Sequence, residues 1–199
     1  MPLYTLLRRM RTMFPFLRQQ SRLPDPAARA QSLLNTAWGD EGYPVDPFHL
    51  AKRLGLRVLE GPLPADVSGK LFKQSGQAPV ILLNETDPRN RQRFTCAHEL
   101  GHYHLRLSKQ PATPSDDEQA YVDTDTYEYT DYRDGRSVSG QDADERFANQ
   151  FAAALLMPPA AVKQMVQQAG GADILVLAEF FGVSAEAMRF RLKNLGYSR

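Results

Sequence analysis

Apolar positions change period twice along this chain. From residue 26 to 55 they recur at helical spacing. Pro26 opens a segment running to about Trp38, with Leu33 and Leu34 on its buried side. Asp46-Pro47 opens another, in which His49, Leu50 and Leu54 lie at core spacing. Asp46 suits the N-cap and Pro47 the first helical position, where a missing N–H leaves nothing unpaired; Gly55 is a natural stop. Apolar residues then gather in three short runs at 56–60, 68–73 and 80–84, punctuated by Pro62, Pro64, Gly76 and Pro79. These predict a small, mostly antiparallel sheet. Helical spacing returns over 87–105, over 142–157 up to Pro158-Pro159, and from Pro159 to Gly170-Gly171. A final helix pair flanks Gly182-Val183-Ser184, with Gly182 suited to the stop and Ser184 to the next N-cap. The expected class is α+β, a small mostly antiparallel sheet packed on a helical core and followed by a helix-turn-helix-like pair.

Composition narrows the partners. The 199 residues hold 24 basic and 23 acidic side chains, so a net charge of +1 gives no global attraction to nucleic acid or membrane. The lone Cys96 excludes an intramolecular disulfide and fits a reducing cytosol. No apolar run is long enough to span a bilayer, and Arg8, Arg9, Arg11 and Arg18 spoil any signal-peptide core. A cytoplasmic location is expected. Charge is polarised along the chain: residues 1–24 carry five arginines and no acid, whereas residues 112–144 hold ten acids against Arg133 and Arg136. The first reads as a poorly ordered basic extension. The second reads as solvated loop, with a short strand at 126–130, where polar and aromatic residues alternate. The expected organisation is an extension at 1–24, a main domain at 25–170 and the helix pair at 171–199.

The chemistry concentrates in His98-Glu99-Leu100-Gly101-His102. Residues four apart share a helix face, so two imidazoles can converge on one cation. Glu99 stands at the border of that face, placed to take a proton from water rather than to ligate. The plainer alternative is a pair of surface or capping histidines. Gly101 lowers helix propensity by about 1 kcal/mol relative to Ala, which points to a close approach beside the metal. His104 is out of phase with the pair, and Cys96 reads as a small buried hydrophobe.

A catalytic zinc needs a third protein ligand. Glu145 is the candidate: Asn149 lies one turn on, and Ala152 and Ala153 continue a stripe small enough for close packing against the His98 helix. Asn149 could then accept from the second ring nitrogen of a ligating histidine, while Phe147, Phe151 and Leu155 supply core contacts. Asp142 and Asp144 equally fit a helix first turn, so spacing alone leaves the choice open.

The run Arg93-Phe94-Thr95-Cys96-Ala97-His98-Glu99-Leu100-Gly101-His102 is followed by Glu145-x-x-Ala148-Asn149-x-Phe151-Ala152 and Leu155-Leu156-Met157-Pro158. Together they resemble the ImmA/IrrE family of bacterial metallopeptidases. The likeness extends upstream to Leu50-Ala51-x-x-Leu54-Gly55 and Ser68-Gly69, and downstream to Arg191-Leu192-x-x-Leu195-Gly196. It implies a cytoplasmic, zinc-dependent peptidase with a gluzincin-like site, His98, His102 and Glu145 being the ligands and Glu99 the general base. It also implies a protein substrate, an XRE-type helix-turn-helix repressor encoded nearby. A histidine that the family often places four residues after the second motif histidine is Arg106 here, so that role does not transfer.

Transition-state stabilisers could come from Tyr103, Tyr121, Tyr127 or Arg133. The strands at 68–73 or 80–84 could offer an edge to an extended peptide. Arg189, Arg191 and Lys193 would face DNA if the last helix pair were a reader. With four cations against two acids over 175–199, a structural or partner-docking unit is the better reading. The functional alternative to a peptidase is a non-catalytic metal-binding regulator, or a toxin–antitoxin-like partner acting through complex formation.

Overall fold

The computed structural model describes residues 25–108, 127–132 and 142–197. The basic extension at 1–24, Tyr121, Arg133 and most of the acidic stretch lie outside the described residues. Helix α1 spans Pro26–Leu33, capped by the Asp25 carboxylate on the Ala27 N–H. The helical segment does continue to Trp38, but as a π-turn over Leu34–Trp38, closed by the Gly39 N–H on the Leu34 carbonyl at 2.8 Å. The wider turn keeps Leu34 and Trp38 both buried. Helix α2, Pro47–Arg53, begins where the sequence places it, Asp46 accepting from the Phe48 and His49 N–H groups. The helix packs against its neighbours through Leu50 and Ala51, which enter the core, whereas His49 is exposed, contrary to its expected core position.

The strands are β1 (Arg57–Gly61), β2 (Val67–Lys73), β3 (Val80–Asn84) and β4 (Tyr127–Tyr132), ordered β1-β3-β2-β4. The β2–β3 and β2–β4 pairings are antiparallel and β1–β3 is parallel. The sheet is thus mostly antiparallel, as expected. The position of its edges corrects the sequence reading: β2 and β3 are both interior, so neither has a free edge for a peptide. Backbone N–H and C=O groups of β2 are taken on one side by β3 and on the other by β4, the strand that the acidic segment contributes.

Helix α3, Arg89–Ser108, packs on β2 and β3 with one side and on α4, Asp142–Leu156, with another. Helix α1 also packs on α4. Then follow α5 (Pro159–Gln168), α6 (Ile174–Phe181) and α7 (Ala185–Asn194). Asp173 and Ser184 cap the last two, and Gly182 takes the left-handed conformation between them (φ 62°). Leu177, Phe181, Met188 and Leu192 of this pair share one apolar core with Leu50, Leu71, Ile81, Leu100, Phe151 and Leu155. No helix among the described residues is long and apolar enough to cross a membrane.

The α3–α4 contact decides the architecture of the site. A Cβ built on Gly101 would stand 2.8 Å from the Ala148 Cα and 3.2 Å from its carbonyl oxygen. The glycine therefore serves the helix crossing, not space beside a metal, and the tight contact falls at Ala148, one turn before the expected Ala152. Backbone atoms on a packed helix cannot step aside, so a side chain at 101 separates the helices. Gly101→Val is expected to lower stability by about 1–3 kcal/mol, overpacking outweighing any propensity gain. The urea unfolding midpoint measures this; a midpoint at or above wild type would show that the helices do not depend on that contact.

Candidate metal centre

His98 and His102 stand one turn apart on α3, each only 2% exposed. Their Nε2 atoms lie 3.0 Å from each other. Glu145, in the first turns of α4, approaches both: Oε2 is 3.2 Å from His98 Nε2 and Oε1 is 3.2 Å from His102 Nε2. The tertiary structure thus brings Glu145 to the paired imidazoles across a contact that only Gly101 and Ala148 allow. Among the described residues these three form a group that could hold a metal ion.

The donor set fits such an ion. Ligand atoms about 2.0–2.1 Å from a tetrahedral centre stand roughly 3.3–3.4 Å apart, close to the 3.0–3.2 Å found here. His98 Nδ1 stands 3.1 Å from Asn149 Oδ1, so the ring is held with Nε2 directed toward Glu145. Asn149, one turn on from Glu145, thus lies within hydrogen-bond reach of His98. Burial alone would raise the Glu145 carboxyl. Hydrogen bonds from His102 and His98, with their charge, outweigh that and hold it at about 2, well below its ordinary 4.5. The site therefore presents an ionised carboxylate at neutral pH.

Glu99 is fully buried next to His98 on the same helix. Cys96 is buried too, and burial followed by the Glu99 charge drives its thiol far above the ordinary value. It stays a protonated core side chain, as its position two residues before His98 suggests. Tyr103 packs against the apolar core, and Tyr127 lies on β4. Arg93 is the residue whose part sequence reasoning missed. Its Nε donates to the Gly182 carbonyl at 3.0 Å and its Nη2 to that of Val45 at 2.7 Å, tying α3 to the turn between α6 and α7. A cation on a helix face that otherwise looks inward is the one signal that could have revealed it.

The peptidase M78 family model, described as the IrrE N-terminal-like domain, matches residues 51–193. The chain belongs to this metallopeptidase family, the ImmA/IrrE family. The matched stretch contains His98, Glu99, His102, Glu145 and Asn149. Nine chains of solved structures match. One is a Mycobacterium tuberculosis transcriptional regulator, with a TM-score of 0.55 at 23% identity over 85% of this chain. That likeness concerns the fold, and this chain spans 46% of the other's length. A search of curated proteins finds no match.

His104 shares α3 with the pair but stacks on Phe151 of α4, ring centroids 5.1 Å apart. Burial, then the Arg29 charge, pushes it down to about 4 from 6.5. The folded state therefore disfavours its proton: the associated stability is complete above about pH 6.5 and lost as pH falls toward 4. The loss reaches about 3 kcal/mol at most. Denaturant titrations at successive pH values should show wild type losing more than His104→Leu across that window; parallel curves would place the acid sensitivity elsewhere.

Proposed function

We propose that the protein is a zinc-dependent endopeptidase that cuts a protein substrate in the cytoplasm, the substrate being an XRE-type helix-turn-helix repressor. The observation that carries the reading is the convergence of His98 Nε2, His102 Nε2 and the Glu145 carboxylate within 3.2 Å, with the Glu99 carboxyl buried alongside. His98, His102 and Glu145 would hold the ion. Two imidazoles and a carboxylate suit zinc, and leave a position open for water and substrate. When bound, zinc acts as a Lewis acid that makes water acidic near neutral pH and polarises the scissile carbonyl.

The chain's own residues supply the rest. Asn149 fixes the His98 ring and tautomer through Nδ1. Glu99 accepts a proton from the attacking water and hands it to the departing amine, so one carboxylate serves both half-reactions. A site with only a structural metal has no use for that second carboxyl. The DNA-reading alternative loses support at Arg191, whose Nε donates to the Met157 carbonyl at 2.9 Å and so holds α7 to the end of α4. The family membership supports a peptidase.

Purified protein with one equivalent of zinc, mixed with the repressor encoded by the neighbouring gene, should yield a defined cut. Glu99→Gln should keep the zinc, by elemental analysis, and lose at least about 100-fold in rate; a cut surviving that change overturns the assigned base. His98→Ala, His102→Ala and Glu145→Ala should each lose the metal at the same free zinc concentration. Asn149→Ala should weaken zinc binding by about 10–100-fold, read by competition with a chelating indicator. Unchanged affinity would mean that the His98 orientation is set by packing alone.

A further inference from the structure

The ligand-bearing faces of α3 and α4 continue beyond the metal centre. On α3 the stripe of His102 and His98 runs on at helical spacing to Phe94 and Arg91; on α4 the stripe of Glu145 and Asn149 runs on to Ala153 and, just past the helix end, Met157. These four further residues line one side of a groove of about 500 Å³, and α7 closes the other side with Ala187 and Phe190. The Phe94 ring stands 6.5 Å from the His98 ring, so the groove begins one helical turn from the candidate metal ligands. Phe190 is 58% exposed, an aromatic side chain held in the wall of an open trough.

The wall is fixed. Arg93 ties α3 to the Gly182 carbonyl in the turn before α7, and Arg191 ties α7 to the Met157 carbonyl just beyond the end of α4. Two half-buried cations donating to backbone carbonyls brace the far side at both helices that carry the metal site. The groove is therefore preformed; Phe94, Met157, Ala187 and Phe190 give it apolar surface, and polar or charged residues such as Arg91, Glu186 and Asn194 make up nearly half of its lining. A concave, preformed apolar surface gains most from a large apolar side chain. Its position on the seam leading from the metal centre makes a polypeptide the occupant. An extended chain advances about 3.3 Å per residue, so a side chain entering beyond Phe94 belongs to a residue two or three positions from the bond that is cut.

We infer that this groove is a specificity pocket for a large apolar side chain, Leu, Met or Phe, of the polypeptide substrate, with the C-terminal helix pair serving as its outer wall. This rests on the peptidase reading above and adds to it a residue class at a defined distance from the cut.

The test has a cleavage arm and a binding arm. In the first, the full-length zinc-loaded protein acts on a mixture of extended peptides of randomised sequence, and mass spectrometry reads the cut sites. Wild type is expected to favour Leu, Met or Phe at one fixed position two or three residues from the cut. Ala187→Trp, which fills the groove, and Phe190→Ala, which opens an exposed wall and serves if the first variant does not fold, should each lower that preference. The measure is the ratio of kcat/KM for peptides with and without the apolar residue, and it should fall about tenfold. Zinc content and oligomeric state are measured on every variant. An unchanged ratio overturns the pocket while leaving the peptidase reading intact. A change of oligomeric state in place of a change of ratio would mean that the groove seats a second copy of the chain, which also overturns it.

If wild type cuts none of the peptides, the peptidase reading falls and the binding arm decides the groove. The same peptides are then passed over immobilised wild type and both variants. Retention that depends on the apolar residue and is lost in the variants upholds the pocket; equal retention by all three proteins refutes it.

Discussion

Helices α3 and α4 meet where neither carries a side chain larger than a methyl group, and the distance between their axes at that crossing sets almost everything else. Gly101 faces the Ala148 backbone so closely that even a Cβ would collide with it. Three residues before the Ala148 contact, Glu145 leaves α4 toward His98 and His102, which flank Gly101 on α3. One residue after it, Asn149 reaches the outer nitrogen of His98. A wider crossing would leave the carboxylate short of the imidazoles. Two helices pressed together at a glycine thus turn a local pair of histidines into a three-point site. The same closeness aligns the faces that continue as the groove toward α7.

Around this crossing the rest of the molecule acts as a brace. The interior strands β2 and β3 pack on one side of α3, and α1 and the apolar residues of α4 hold the other helix in place. The C-terminal pair adds Leu177, Phe181, Met188 and Leu192 to the same core and is pinned by Arg93 and Arg191. Its helix-turn-helix outline is a matter of caps and a left-handed glycine, features that serve packing as readily as recognition. Electrostatics at the centre is equally economical. An ionised Glu145 facing two ring nitrogens is a favourable but incomplete arrangement, since the Nε2 atoms of the imidazoles turn toward each other as well as toward the acid. A cation resolves that convergence, and the ligand chemistry and family membership both point the same way.

Much of this was legible because it is local. The i, i+4 spacing of His98 and His102 fixes their common face wherever the helix lies, and the spacing from Glu145 to Asn149 does the same for α4. Asp46-Pro47 and Gly182-Val183-Ser184 mark helix ends through cap chemistry confined to a few neighbouring residues. Long-range arrangement was less accessible. His49 matched a core position by period, yet α2 packs through Leu50 and Ala51 and leaves it outside. The strand at 80–84 pairs in parallel with β1 and antiparallel with β2, and the acidic segment covers the remaining side of β2 with β4. Strand order depends on which surfaces the helices cover, and short apolar runs do not record that.

By itself, then, the sequence determined the two donor faces, the place of Glu99 beside the first histidine and the capped helix ends, since each depends on periodicity and capping within one element. The tertiary structure alone decided that Glu145 rather than Asp144 completes the trio, that the glycine serves a helix crossing, and that Arg93 and Arg191 brace a groove leading from the site. Those outcomes turn on distances between elements far apart in the chain, set by packing against a shared core.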